Sequence, residues 1–168
     1  FVGLGVGTLS AYGRAGDVVR FYELDPDVLA LAKSQFSYLN SSPAAIEFVI
    51  GDARLSMERE LLSSALQRYD VLAIDAFSSD SIPVHLITSE ATALFFQHLK
   101  PDGILAFHIS NRFLDLKPVL ANIAEANGLA ARLVTDSPGD DSSASITDWV
   151  LLARSPAAFD HERLAEVV

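Results

Sequence analysis

The chain has 168 residues, half of them hydrophobic, which is enough for one domain with a sizeable core. Its formal net charge of -10 makes nucleic-acid backbones and anionic membranes poor partners and favours, weakly, a cationic substrate. It has no cysteine, which excludes disulfides and thiolate metal sites, and no apolar run approaching the roughly 20 residues of a membrane span.

In chain order, the first signal is Gly3-Leu4-Gly5-Val6-Gly7, followed by Thr8. Glycines at alternate positions let a backbone turn tightly and approach a ligand. A dinucleotide fingerprint would have glycine where Thr8 stands, so the loop is either a nucleotide cradle or a plain strand-to-helix turn. Only Phe1 and Val2 precede it; the first core strand is expected to be cut short, and the chain to be a piece of a longer protein. Asp17 to Leu24 reads as a strand, and Asp25-Pro26 opens a helix with Asp25 as N-cap and Val28, Leu29, Ala32 and Phe36 on its apolar face. Ile46 to Ile50 is a second strand, Ala53 to about Leu66 a helix, and Tyr69 to Ile74 an apolar strand ending at Asp75. A polar loop over 76–87 leads to a helix over Thr88 to Leu99, with Thr88 or Ser89 as its cap. Pro101-Asp102-Gly103 reads as a turn, Ile104 to Ile109 as a strand, and Asp115 to Asn127 as a helix stopped by Gly128. Leu129 to Thr135 and Trp149 to Ala153 are the last strands, with Trp149 expected in the core.

Apolar strands alternating with helices predict an α/β fold with a mostly parallel sheet covered on both faces, in one domain over 1–168. Ligands of such sheets bind outside the carboxyl ends of the strands. That rule selects Glu23, Asp52, Asp75 and His108, each at or near a strand end. Glu23 could accept from two ribose hydroxyls, or be a solvated acid beside the Asp25 cap. Asp52 could accept from an adenine amino group, or cap the next helix. Asp75 could take a proton from an attacking amine, with Asp80 as a second carboxylate for a cation, or both could be turn and capping acids. His108 could line the pocket or be a hydrogen-bonded structural residue. The four histidines show no metal-ligand spacing.

Gly3 to Gly7, Phe21-Tyr22-Glu23-Leu24-Asp25-Pro26, Gly51-Asp52-Ala53-Arg54 and the Asp75 loop together resemble the spermidine synthase-like group of the S-adenosylmethionine-dependent methyltransferase fold. The stretches from Asp75 to His85 and from His108 to Asp115 are similar to a bacterial subgroup whose members often carry a membrane-embedded region ahead of this domain. The resemblance implies a three-layer Rossmann-like fold with a seven-stranded sheet whose last strand is antiparallel. It implies aminopropyl transfer from decarboxylated S-adenosylmethionine to a polyamine such as putrescine, without a metal. By position, Gly3, Gly5 and Gly7 would line the nucleoside and its sulfonium arm, Glu23 the ribose, and Asp52 with Ala53 the adenine. Asp75 would help deprotonate the amine and Asp80 would bind it. The implied setting is a soluble cytoplasmic domain, a homodimer being one open assembly, tethered to the inner face of a bacterial membrane where the parent carries the membrane region.

The chain departs from that group at three points. Val6 stands where aminopropyltransferases usually place an Asp that holds the donor's amine. The usual D-[ST]-x-D-P loop is replaced by one in which Asp80 lies two positions later and is followed by Ser81. The β-rich N-terminal region that contributes substrate contacts is not in this sequence. Two other readings therefore stay open: a methyltransferase using intact S-adenosylmethionine, and a non-catalytic nucleoside-binding domain of a membrane protein.

Overall fold

The computed structural model describes residues 1–77, 82–111, 114–136 and 146–160. The chain divides into two compact units, Phe1–Ser63 and Ser64–Val168.

In the first unit, β1 (Val18–Glu23) and β2 (Ala45–Ile50) pair in parallel, Val18 opposite Ala45 through Glu23 opposite Ile50. The connection is α1 (Pro26–Gln35) and a short α2 (Tyr38–Ser41). Asp25 caps α1 by accepting from the Asp27 N–H at 2.8 Å, with Pro26 at the first helical position, as the sequence predicts. Ala32 is buried with Leu4, Val19, Phe21, Leu39 and Ala44, and Val28 and Leu29 pack against that cluster. Phe36, expected on the same apolar face, is instead the exposed C-cap of α1. The Phe1, Phe21 and Phe48 rings stack in turn at 5.4 and 6.1 Å. After β2, Asp52 caps α3 (Ala53–Leu62). That helix stops short of the predicted Leu66 because Ser64 takes a left-handed φ of 58°, which no helix turn accommodates.

In the second unit a four-stranded sheet has the order β3-β4-β6-β5, from β3 (Tyr69–Ile74), β4 (Leu99–His108), β5 (Ala130–Asp136) and β6 (Thr147–Ala153). β3 and β4 are parallel, and β6 is antiparallel to both β4 and β5. Helices α4 (Ser89–His98, capped by Thr88) and α5 (Lys117–Ala126) belong to the same unit. Leu72, Ile74, Phe95, Leu105, Phe107, Leu120 and Leu152 are fully buried, each contributing on the order of 1.5–3 kcal/mol.

The architecture is α/β and Rossmann-like, but the single, mostly parallel seven-stranded sheet is not observed. Among the described residues, six strands form one sheet of two and one of four. The segment ahead of the glycine loop is too short for a ladder, and Val2 makes only an isolated parallel bridge to Tyr22. Among the described residues, parallel strand pairs are limited to β1–β2 and β3–β4, and β6 is antiparallel to both β4 and β5. The predicted turn at 101–103 is absorbed into β4. The register jumps from Tyr69 opposite Leu99 to Val71 opposite Ile104, so the extra residues bulge from the ladder.

Candidate functional site

In the first unit the glycine loop folds back on the end of β1. Gly3 N–H donates to the Tyr22 carbonyl at 2.9 Å and Gly7 N–H to the Leu4 carbonyl at 2.9 Å. Glu23, the last and largely buried residue of β1, then locks the loop. Its Oε2 accepts from the Leu4 N–H at 3.0 Å and its Oε1 from the Asp25 N–H at 2.9 Å. One carboxylate thus binds two backbone segments, and each oxygen retains a lone pair for a further donor. The Gly51 N–H donates to the Glu23 carbonyl at 2.8 Å, which brings the end of β2 to the same place.

Asp52 accepts from the Leu55 N–H at 2.9 Å and caps α3, the role that Asp commonly takes at a helix start. Ala53 is buried as the first residue of that helix. The bonds from Gly3 to Tyr22, from Leu4 to Glu23 and from Gly51 to Glu23 thus bring the glycine loop and the start of the Gly51-Asp52 turn to the carboxyl end of β1.

Two of the glycines have different duties. Gly5 has φ +54° and no atom within 4 Å of where a Cβ would stand, so open space faces it. Gly7 has φ +85°, and a Cβ there would lie 2.8 Å from Leu39 Cδ2. Gly7→Ala is expected to destabilise the fold by about 1–2 kcal/mol through left-handed strain alone, and further through the contact with Leu39. Gly5→Ala carries only the strain and is expected to weaken ligand binding more than stability. Urea denaturation and ligand titration of both variants check this; equal stability losses would contradict it.

In the second unit Asp75 follows β3 and is held by a chain of hydrogen bonds. Asp75 Oδ1 lies 2.7 Å from His108 Nδ1, and His108 Nε2 lies 2.8 Å from Ser110 Oγ. Ser110 Oγ accepts from the Asp148 N–H at 2.9 Å. The imidazole is stacked on Trp149 (4.6 Å between centroids, 10° between planes), with the Phe77 ring edge-on at 5.0 Å. Trp149 is thus half-buried against His108 rather than a core residue, because the two are directly opposed on β6 and β4. His108 has both of its ring nitrogens engaged. Asp80 lies outside the described residues. Ser110 and Asp148 were not singled out by the sequence. The one available signal is His108-x-Ser110 at a strand end, since alternate residues of a strand face the same side.

Asp148 anchors the far end of this chain. Its carboxyl is held below its ordinary 3.8 by the Thr135 hydroxyl, which donates at 2.6 Å, and by Lys117, whose Nζ lies 3.0 Å away. Lys117 is raised above 10.5 by its hydrogen bond to Asp148 and by that carboxylate's charge. A depressed acid contributes stability that is present above its unfolded value and lost as pH falls through its folded one. A raised lysine contributes stability that is present below 10.5 and lost above it. The pair is therefore expected to be fully stabilising from about pH 4 to pH 10. In Asp148→Asn the fall in urea midpoint below pH 4 should be shallower than in the parent. An unchanged acid limb would contradict this.

Among the described residues no group of three or more His, Asp or Glu is placed to hold a metal, and no helix is long and apolar enough to cross a membrane.

The fold is that of the Rossmann-like methyltransferases and spermidine synthases. A human methyltransferase-like protein 13 solved in complex with SAH aligns with TM-score 0.72 at 19% identity, over 98% of this chain and 74% of that one. A spermidine synthase in complex with the transition-state analogue AdoDATO aligns with TM-score 0.70 at 19% identity, over 99% and 58%. In sequence the chain is 34% identical over 91 residues to a polyamine aminopropyltransferase of Vibrio vulnificus, covering 54% of this chain and 28% of that protein. It is 31% identical over 111 residues to an N-terminal histidine N-methyltransferase of Emericella nidulans, covering 64% and 19%. The chain thus spans less than a third of the curated relatives it matches, and it is related to both kinds of transferase. No protein-family model matches it.

Proposed function

We propose that the chain is a spermidine synthase-like domain that binds decarboxylated S-adenosylmethionine and supports aminopropyl transfer to a polyamine such as putrescine. The observation that carries this reading is Asp75. One of its oxygens is held by His108, and the other has no hydrogen-bond partner among the described residues. An oriented carboxylate with one unengaged oxygen suits an amine, whose charge it can pair with and whose proton it can take.

In the first unit, Gly3, Gly5 and Gly7 would receive the nucleoside and its sulfonium arm, with the open space at Gly5 as the approach. Glu23 would accept from the ribose hydroxyls with the lone pairs left over from Leu4 and Asp25, and Asp52 and Ala53 would meet the adenine. In the second unit Asp75 is the candidate base, and Asp80 the candidate second carboxylate for the amine. The amine gives one proton to Asp75 and attacks the carbon beside sulfur. The carbon–sulfur bond breaks, its electron pair goes to sulfur, and 5′-methylthioadenosine leaves. The demands on the protein are positioning and deprotonation. The reaction is tested by release of 5′-methylthioadenosine from decarboxylated S-adenosylmethionine in the presence of putrescine or another polyamine. Absence of release with every amine tried would refute catalysis and favour a nucleoside-binding domain.

A second reading is favoured by one residue. Val6 puts an apolar side chain in the middle of the loop where an acid would hold the donor's amine. A methyltransferase using intact S-adenosylmethionine has no need of that acid, and the relatedness to a methyltransferase supports the same alternative.

A further inference from the structure

We propose that His108 is a positioning residue for Asp75 and that its neutral ring carries its proton on Nδ1, toward Asp75, with Ser110 donating to Nε2. The inference rests on the reading of Asp75 as the group that takes the amine proton.

Directionality is dictated by what each atom can do. The Asp148 N–H can only donate, so Ser110 Oγ accepts from it at 2.9 Å. An ionised carboxylate can only accept, so His108 Nδ1 carries a proton and donates to Asp75 Oδ1 at 2.7 Å. Nε2 of the neutral ring then carries no proton and accepts from the Ser110 hydroxyl 2.8 Å away. This protonation state is assigned from the hydrogen-bond network. The chain runs one way, from the backbone of β6 through Ser110 and His108 to an ionised Asp75. Trp149 on one side and the Phe77 edge on the other hold the ring plane. A ring flip would break both hydrogen bonds at once.

The consequence is a base with one working oxygen. Oδ1 is committed to His108, so the amine proton goes to Oδ2. The N–H bond breaks, its electron pair stays on nitrogen as the nucleophile, and the proton ends on Asp75. His108 keeps the same protonation state throughout. It touches neither donor nor acceptor and acts only through Asp75.

The test is long-range nitrogen–proton NMR of the ring-labelled full chain near neutral pH, with the His108 signals assigned by their loss in His108→Asn. The expected result is a protonated Nδ1 and a bare Nε2, with Nδ1 still protonated in Ser110→Ala because the Asp75 carboxylate remains its acceptor there. A wild-type His108 with its proton on Nε2, or on both nitrogens, would overturn the proposal. This readout needs no turnover, so a chain inactive with every amine would refute the aminopropyl reading while the tautomer result still decided the inference. Where turnover is found, His108→Leu should lower kcat by about 10–100-fold with donor affinity retained. His108→Asn, whose amide N–H can reach Asp75, should recover most of that loss. Equal losses in both variants, or a loss confined to donor affinity, would also overturn it.

Discussion

Asp75→Asn is expected to slow 5′-methylthioadenosine release by about 10²–10⁴-fold while nucleoside affinity stays unchanged. The substitution is nearly isosteric, and the amide oxygen can still accept from His108 Nδ1, so the clamp of His108 between Phe77 and Trp149 should survive. What is lost is the second oxygen, replaced by an NH₂ that donates and cannot take a proton. Turnover and calorimetric titration of the same preparation check both halves. Undiminished turnover would remove Asp75 from the chemistry. A parallel loss of nucleoside affinity would make it a structural residue.

Glu23→Ala is expected to cost both stability and ligand. The Leu4 and Asp25 N–H groups would lose their acceptors, and Leu4 is almost fully buried. An orphaned buried donor costs about 1–3 kcal/mol. If the carboxylate also accepts from ribose hydroxyls, each charged hydrogen bond contributes about 1.5–3 kcal/mol, so affinity should fall at least about 100-fold. Glu23→Gln retains one acceptor oxygen and should lie between the parent and Glu23→Ala in both respects. Denaturation and titration measure the two effects separately. A stable Glu23→Ala with unchanged affinity would mean that neither the loop nor the ribose depends on Glu23.

The elements set by local chemistry were legible in the sequence. The strand over Tyr69–Ile74 has the predicted bounds, and Asp25, Asp52 and Thr88 are caps whose side chains accept from the first turn of their helices. What depends on pairing between distant segments was not. The stacking of Trp149 on His108 follows from the antiparallel register of β6 on β4, which no local pattern encodes. The bulge that absorbs Pro101 and Asp102 depends on Gly103, where a Cβ would lie 3.0 Å from the Tyr69 carbonyl oxygen. Glu23 was legible as a strand-end acid, but its grip on the Leu4 N–H requires the glycine loop to fold back nineteen positions, a tertiary fact. Asp52 shows the opposite case, since its local role as a cap is what the structure displays.

Calorimetric titration of the chain with decarboxylated and with intact S-adenosylmethionine separates aminopropyl transfer from methyl transfer most directly. Both are expected to bind through the nucleoside, the decarboxylated form more tightly. Preference for the carboxylated ligand would contradict the aminopropyl reading and leave the methyltransferase one, and binding of neither would contradict the nucleoside site itself.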